Sequence, residues 1–292
     1  RCLMRTKTIL ELVALVLIWS GSWIAIKWGL TEIPPYSLVF FRFLFACPVI
    51  FAISYLVEGK ESIKINRKEI VDFSLLGLLG VTLVQSVEVV ALKYTTAINS
   101  SILINFNVPF IAIFALMFLG ESINKRTALG IFISFIGAIF VVVNGSISGF
   151  QRINIGDILI IISGVLWAAY SIAGKKTMEK RTPMAMTSFS FLFGTIFLFP
   201  LAYFESKFSF VDNISILGIG SILYLSLLCS VFAYISWNRS IKSEKASNVA
   251  MFLYFIPVVT AIMAFFLLGE KITLFTIIGG ALVIFGVYMA ER

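Results

Sequence analysis

Apolar positions in this chain alternate at neither the strand nor the helical period. They come in unbroken runs of about 20 residues, each long enough for a helix to cross a bilayer core, and short breaks separate them. The runs predict helices over 9–30, 36–57, 70–92, 97–119, 126–144, 155–178, 183–203, 214–241, 245–268 and 274–290. The breaks carry residues that stop helices: Pro34-Pro35, the charged stretch from Glu58 to Glu69, Gly120, Asn144-Gly145, Pro183 and Gly269.

One stretch occurs twice. It runs from Pro109 through Gly120-Glu121 to Gly130 and Gly137, and again from Pro257 through Gly269-Glu270 to Gly279 and Gly286. The match extends along the chain. At an offset of 148, Trp19 meets Trp167, Lys27 meets Lys175 and Pro35 meets Pro183; at 149, Lys93, Ala97 and Asn99 meet Lys242, Ala246 and Asn248. Five spans per copy is an odd number, so the second copy is upside down. The expected fold is an all-α integral membrane protein, ten transmembrane helices as two inverted five-helix repeats, residues 1–148 and 149–292. Such repeats recur in secondary transporters, with the solute site near mid-membrane where the halves meet.

Composition narrows the classes further. The 292 residues are 60% hydrophobic and 13% charged, with a mean hydropathy of +1.02, unlike a soluble domain. The alternating segments of an outer-membrane barrel are missing. A net charge of +8 does not imply nucleic acid, because Lys and Arg sit in short loops and gather on one side. With the N-terminus inside, the outer loops hold only Lys93, Arg152, Lys207 and Lys271, so both termini are expected in the cytoplasm. Short loops and the lack of a targeting peptide favour the inner (plasma) membrane of a prokaryote, and the first span is too long for a cleaved signal peptide. There is no histidine, and Cys2, Cys47 and Cys229 are far apart, so no metal site, catalytic triad or cofactor is expected. A Walker A loop is absent, which argues against direct ATP coupling.

Charges inside a span cost at least a few kcal/mol unless they are paired or wet. Lys27, Arg42 and Glu88 fall at one depth in the outer half, which predicts an Arg42–Glu88 or Lys27–Glu88 ion pair. Alternatively, Glu88 engages a substrate amine or a proton, with Gln85 one turn before it. The second half holds Ser190 and Trp237 where the first holds Arg42 and Glu88.

At mid-membrane depth lie Trp19 and Trp167, one per half and beside small residues, with Asn105, Asn107 and Tyr254. They read either as an aromatic-lined cavity for a small amphipathic solute or as bundle filling. Residues two apart on a helix diverge by about 200°, so one Asn at most faces the cavity. Asn105 is the choice, since Ser101 precedes it by one turn. Tyr170, Tyr234 and Trp237 are further aromatic candidates. Pro109 and Pro257 each free a backbone carbonyl near mid-span, as a hinge or as a static kink. Gly130, Ser134 and Gly137, like Gly279 and Gly286, form small steps for close helix packing.

Three pieces together, Pro35 with Arg42-Phe43-Leu44-Phe45-Ala46, the link Ala91-Leu92-Lys93-Tyr94-Thr95-Thr96-Ala97, and the doubled Pro–Gly-Glu–Gly stretch, resemble the EamA-type branch of the drug/metabolite transporter superfamily over nearly the whole chain. The resemblance implies secondary transport of small metabolites, often amino acids leaving the cell. Helices 1, 3, 4, 6, 8 and 9 would surround the cavity, with 5 and 10 peripheral. Glu121 and Glu270 resemble the family's Gly-Glu pair and read as turn or gate residues. The leading expectation is export of amino acids or related amines by alternating access, either facilitated or proton-coupled through Glu88. Rivals are an importer of a vitamin, nucleoside or similar nutrient and, more remotely, a lipid-modifying membrane enzyme, for which no catalytic cluster is present. The expected partners are a small-molecule solute and the lipid bilayer; a monomer suffices and a dimer is compatible.

Overall fold

The computed structural model describes residues 6–121, 124–143 and 154–291. The Asn144-Gly145 stop, the boundary between 148 and 149, Cys2 and Arg152 lie outside them. Among the described residues every regular element is helical. Besides short 3-10 turns at Lys60–Ile63 and Val211–Asn213, the longer helices among the described residues are, in order, α1 (Thr6–Gly29), α2 (Pro35–Glu58), α3 (Arg67–Ala91), α4 (Ala97–Leu119), α5 (Lys125–Val143), α6 (Ile155–Thr177), α7 (Pro183–Ser206), α8 (Ile216–Ser243), α9 (Ala246–Leu268) and α10 (Leu274–Glu291). Eight are long and apolar enough to cross a membrane; α5 and α10 carry shorter apolar stretches, Ala128–Gly137 and Leu274–Gly286.

Burial runs opposite to that of a soluble protein. Leu56, Phe204, Ile216 and Phe266 stand exposed, whereas Arg42, Gln85, Asn107 and Asn238 are buried. An outer surface of Leu, Phe and Ile suits hydrocarbon, and backbone bonds closed within each helix leave no polar edge there. The chain is a multi-pass membrane protein.

The sequence explains where helices begin and end. Thr96, Thr182 and Ser215 accept hydrogen bonds from backbone N–H groups of the first turns of α4, α7 and α8. Gly120 and Gly269 close α4 and α9 at φ of 67° and 65°, where a side chain would be strained, and Glu121 N and Glu270 N then donate back to Ala115 O and Ala264 O. The doubled Gly-Glu is a helix stop written twice.

Two distortions are also doubled. Within α3 residues Leu78–Leu83 wind as a π-helix, and within α8 so do Tyr224–Phe232. Within α4 residues Ile104–Phe106 tighten to 3-10 geometry, as do Met251–Phe255 within α9, just ahead of Pro109 and Pro257. Each class sits at corresponding positions in the two halves. Matched helices also meet: α2 packs on α7, α4 on α9, and α5 on α10. A Cβ on Gly286 of α10 would lie 2.4 Å from Gly130 O of α5, so this contact needs glycine.

Candidate functional site

Both halves contribute to one cavity. It holds about 520 Å³ of empty space including its mouth, and its walls come from α1, α2, α3, α4, α6, α8 and α9. The helices implied by the family resemblance are all present, and α2 joins them through Arg42. The distortions of the fold fall beside it. Gln85 and Glu88 follow the π-segment of α3, Tyr234 follows that of α8, and Ile104 and Leu253 belong to the 3-10 segments. A π-turn shifts the phase of everything after it, and so decides which side chains face inward.

The aromatic wall is a cluster. Trp19 and Trp167, the matched pair, meet edge to face at 5.4 Å between ring centroids. Tyr234 lies edge-on to both, at 6.1 and 5.3 Å. The Trp19 indole N–H donates to Cys229 O at 3.1 Å, which fixes the ring in the cavity wall. Trp237 and Tyr170 do not line the cavity. They are fully buried behind it, Trp237 donating to Ser171 Oγ at 3.2 Å and Tyr170 accepting from Asn238 at 3.1 Å, so they hold Trp167 and Tyr234 in place.

The expected ion pairs do not form. Arg42 donates from Nε to Ser230 Oγ at 2.7 Å and from Nη1 to Gln85 Oε1 at 2.5 Å, with Phe43 under the guanidinium. Glu88 accepts from Ser163 Oγ at 2.9 Å, and among the described residues no Lys or Arg nitrogen lies within 4.0 Å of it. Gln85 in turn donates to Tyr234 Oη at 3.1 Å. Lys27 is elsewhere. Its ammonium donates to Leu92 O and Thr95 O at 2.8 and 2.7 Å, at the C-terminal end of α3, where unpaired carbonyls favour a cation. Depth along a helix placed these three charges together; the direction each points separates Lys27 from the others.

Asn107, rather than Asn105, lines the cavity. The 3-10 segment breaks the helical phase on which the choice of Asn105 depended, and the Asn105 amide returns to Ser101 O at 2.9 Å. Tyr254 is likewise buried away from the lining, its hydroxyl meeting Ser134 of α5. Sequence reasoning overlooked Ser163, one turn before Trp167 on the same face of α6, and Ser230, four residues before Tyr234. It also overlooked Asp157, buried at the start of α6, which accepts from Thr95 Oγ1 at 2.6 Å.

Glu121 and Glu270 lie at opposite ends of the bundle, and each reaches across to the other half. Glu270 accepts from Ala97 N and Ile98 N at 2.9 and 3.0 Å, at the start of α4. Glu121 accepts from Ala246 N at 3.3 Å, at the start of α9, and from Lys175 Nζ at 2.9 Å. Glu205 and Glu58 repeat the theme, Glu205 accepting from Tyr36 N and Ser37 N and Glu58 from Thr182 Oγ1. A carboxylate at a helix N-terminus meets unpaired N–H groups and the positive end of the dipole.

Comparisons with known proteins agree along nearly the whole chain. The EamA-like transporter family matches residues 6–143 and again 154–291. An uncharacterized transporter of Archaeoglobus fulgidus is 42% identical over 287 residues, 98% of each chain. The uncharacterized transporter YyaM of Bacillus subtilis is 33% identical, covering 91% of this chain and 87% of its own. A probable terminal-alkyne amino-acid exporter of Streptantibioticus cattleyicolor is 26% identical across 98% and 94% of the two chains. A solved crystal structure shares the fold with a TM-score of 0.74 at 18% identity, covering 98% of this chain and 96% of that one.

Proposed function

The chain belongs to the EamA-like transporter family, and on that premise we propose that it is a secondary carrier exporting amino acids or related amines by alternating access. The observation that carries the reading is a cavity walled by helices of both halves, with an aromatic cluster and two charged residues facing it. The probable terminal-alkyne amino-acid exporter among its relatives supports the solute class.

In this reading the chain is ten transmembrane helices in two inverted five-helix units, joined near residue 148, with both termini in the cytoplasm. The doubled π and 3-10 segments and the matched helix pairs support it. Trp19, Trp167 and Tyr234 form the solute wall, with Gln85, Glu88 and Arg42 as its polar side. Pro109 and Pro257 are hinges. Glu121 and Glu270 are gate residues, each tying its own half to the first turn of a helix in the other. Glu88, an acid facing the cavity with no Lys or Arg nitrogen within 4.0 Å among the described residues, is the group through which proton coupling would act.

Counterflow in liposomes tests the proposal, using purified protein and a panel of labelled amino acids, amines and nutrients. Saturable exchange is expected. Linear flux or product formation would replace the carrier with a channel or an enzyme, and exchange confined to a vitamin or nucleoside would make it a nutrient carrier.

A further inference from the structure

Arg42 and Glu88 face one cavity without touching, and each is anchored separately. Arg42 is 4% exposed, and Ser230 and Gln85 take two of its five N–H groups. Among the described residues, Glu88 takes one hydrogen bond, at Oε1 from Ser163. Two opposite charges free to move in a low-dielectric space would close on each other, since leaving a buried charge unpaired is costly. Here the hydroxyl and amide anchors keep them apart. A third polar group joins them: Asn107 lines the same cavity at 3% exposure, and its Oδ1 has no hydrogen-bond partner among the described residues.

A fixed cation, a fixed anion and an unused acceptor beside aromatic rings are complementary to a molecule carrying the opposite pair of charges and an apolar body. Resting on the proposed carrier function, we infer that the cavity is a zwitterion site selective for α-amino acids with apolar or aromatic side chains. Arg42 takes the carboxylate through its remaining N–H groups. Glu88 Oε2 and Asn107 Oδ1 take the ammonium, and Trp19, Trp167 and Tyr234 take the side chain. An amine lacking the carboxylate leaves Arg42 unpaired, and an acid lacking the ammonium leaves Glu88 unpaired. Rejection of each is therefore built into the same two residues, because a buried group left without its partner penalises the wrong ligand.

Binding to purified protein tests this with matched sets: phenylalanine, leucine and methionine, each against its decarboxylated amine and its deaminated acid. At least one zwitterion is expected to bind ten-fold or more tighter than both its analogues. Glu88→Gln should invert the preference toward the acid, and Arg42→Gln toward the amine. A variant damaged merely in folding weakens all three ligands together, so the swap in preference separates recognition from structure. Should Arg42→Gln not fold, the Glu88→Gln inversion carries the test alone. Amines or acids binding as well as the zwitterions, no zwitterion binding at all, or a preference unmoved in Glu88→Gln would overturn the assignment. Saturable counterflow of an uncharged solute would remove the zwitterion site and leave the carrier standing.

Discussion

Lys175 Nζ lies 2.9 Å from Glu121 Oε1 at one end of the bundle, while its match Lys27 at the other end donates to the Leu92 and Thr95 carbonyls and forms no ion pair with Glu270. The surroundings correspond: Lys175 also donates to Glu244 O, the match of Thr95 O, and Glu121 and Glu270 accept from the matched residues Ala246 and Ala97. Sequence symmetry thus gives both ends the same parts, and the structure joins the ion pair at only one.

The joined end is the one that should loosen when the pair is removed. Lys175→Met leaves a partly buried Glu121 carboxylate without its cation, a loss of about 1–3 kcal/mol for a charged hydrogen bond. A cysteine at Ser22 in the cavity wall, with the native cysteines replaced, should then react several-fold faster with a maleimide applied from the Glu121 end. Lys27→Met should leave that rate unchanged. Equal rates in both variants and the parent would remove the gate reading of Glu121.

The aromatic wall predicts two different losses. Trp19→Phe keeps a ring but deletes the N–H that donates to Cys229 O, a net loss of about 1 kcal/mol. Trp167→Ala removes the ring that meets Trp19, Tyr170, Tyr234 and Trp237 together, at about 3–5 kcal/mol. Thermal unfolding in detergent should rank the variants in that order. Solute exchange should weaken in both, and far more for Trp167→Ala.

Much of this architecture was legible in the chain because apolar runs and doubled motifs are one-dimensional signals. Pro109, Gly120 and Glu121 recur as Pro257, Gly269 and Glu270, and the helix stops follow from glycine at positive φ. The site was legible only where a repeat or a depth argument sufficed. Trp19 and Trp167 meet as a matched pair. Asn105 went astray because it sits in a 3-10 segment, where the 100° step assumed by helical periodicity no longer holds, and Tyr254 because depth alone does not say which way a side chain faces. Ser230 lies within a π-segment and had no readable face for the same reason. The ion pairs failed on direction: hydrophobic patterning reports depth in the membrane and carries nothing about where a long side chain turns.

Glu32, in the loop between α1 and α2, predicts a pH response outside the membrane. Its carboxyl accepts from Ser215 N and Oγ at 2.8 and 2.6 Å, and these bonds hold its pKa below the usual 4.5. A carboxylate depressed on folding contributes stability that is complete above its unfolded value and is lost as pH falls through the folded one. The thermal-stability gap between the parent and Glu32→Gln should therefore be flat from neutral pH down to about 5 and close below the ordinary Glu range. A gap that widens on acidification would contradict the contact.

Pro257 supplies the last prediction, because its neighbours show what the missing N–H does. Leu253 O, four residues before the proline, has no α-helical donor there and accepts from Ile256 N instead, which is the 3-10 pattern of Met251–Phe255. In α4 the 3-10 turn sits one residue further from its proline: Asn107 N–H donates to Ile104 O, while the carbonyl that Pro109 leaves without an α-helical donor is Asn105 O. Leu253 lines the cavity, so in α9 the proline-dependent winding positions the wall itself, and Ile104 lines it from the matching 3-10 segment of α4. Pro257→Ala restores the donor and lets α9 run on as α-helix, which favours one fixed geometry. Proline inside a helix is about 3 kcal/mol less favourable than alanine, so thermal stability should hold or rise. Exchange across the membrane should slow about ten-fold in Pro257→Ala and in Pro109→Ala, an activation cost of about 1.4 kcal/mol. Solute binding at equilibrium should change less than exchange. Parent-like exchange in both variants would show that the two bends are static, and that the halves move about some other pair of points.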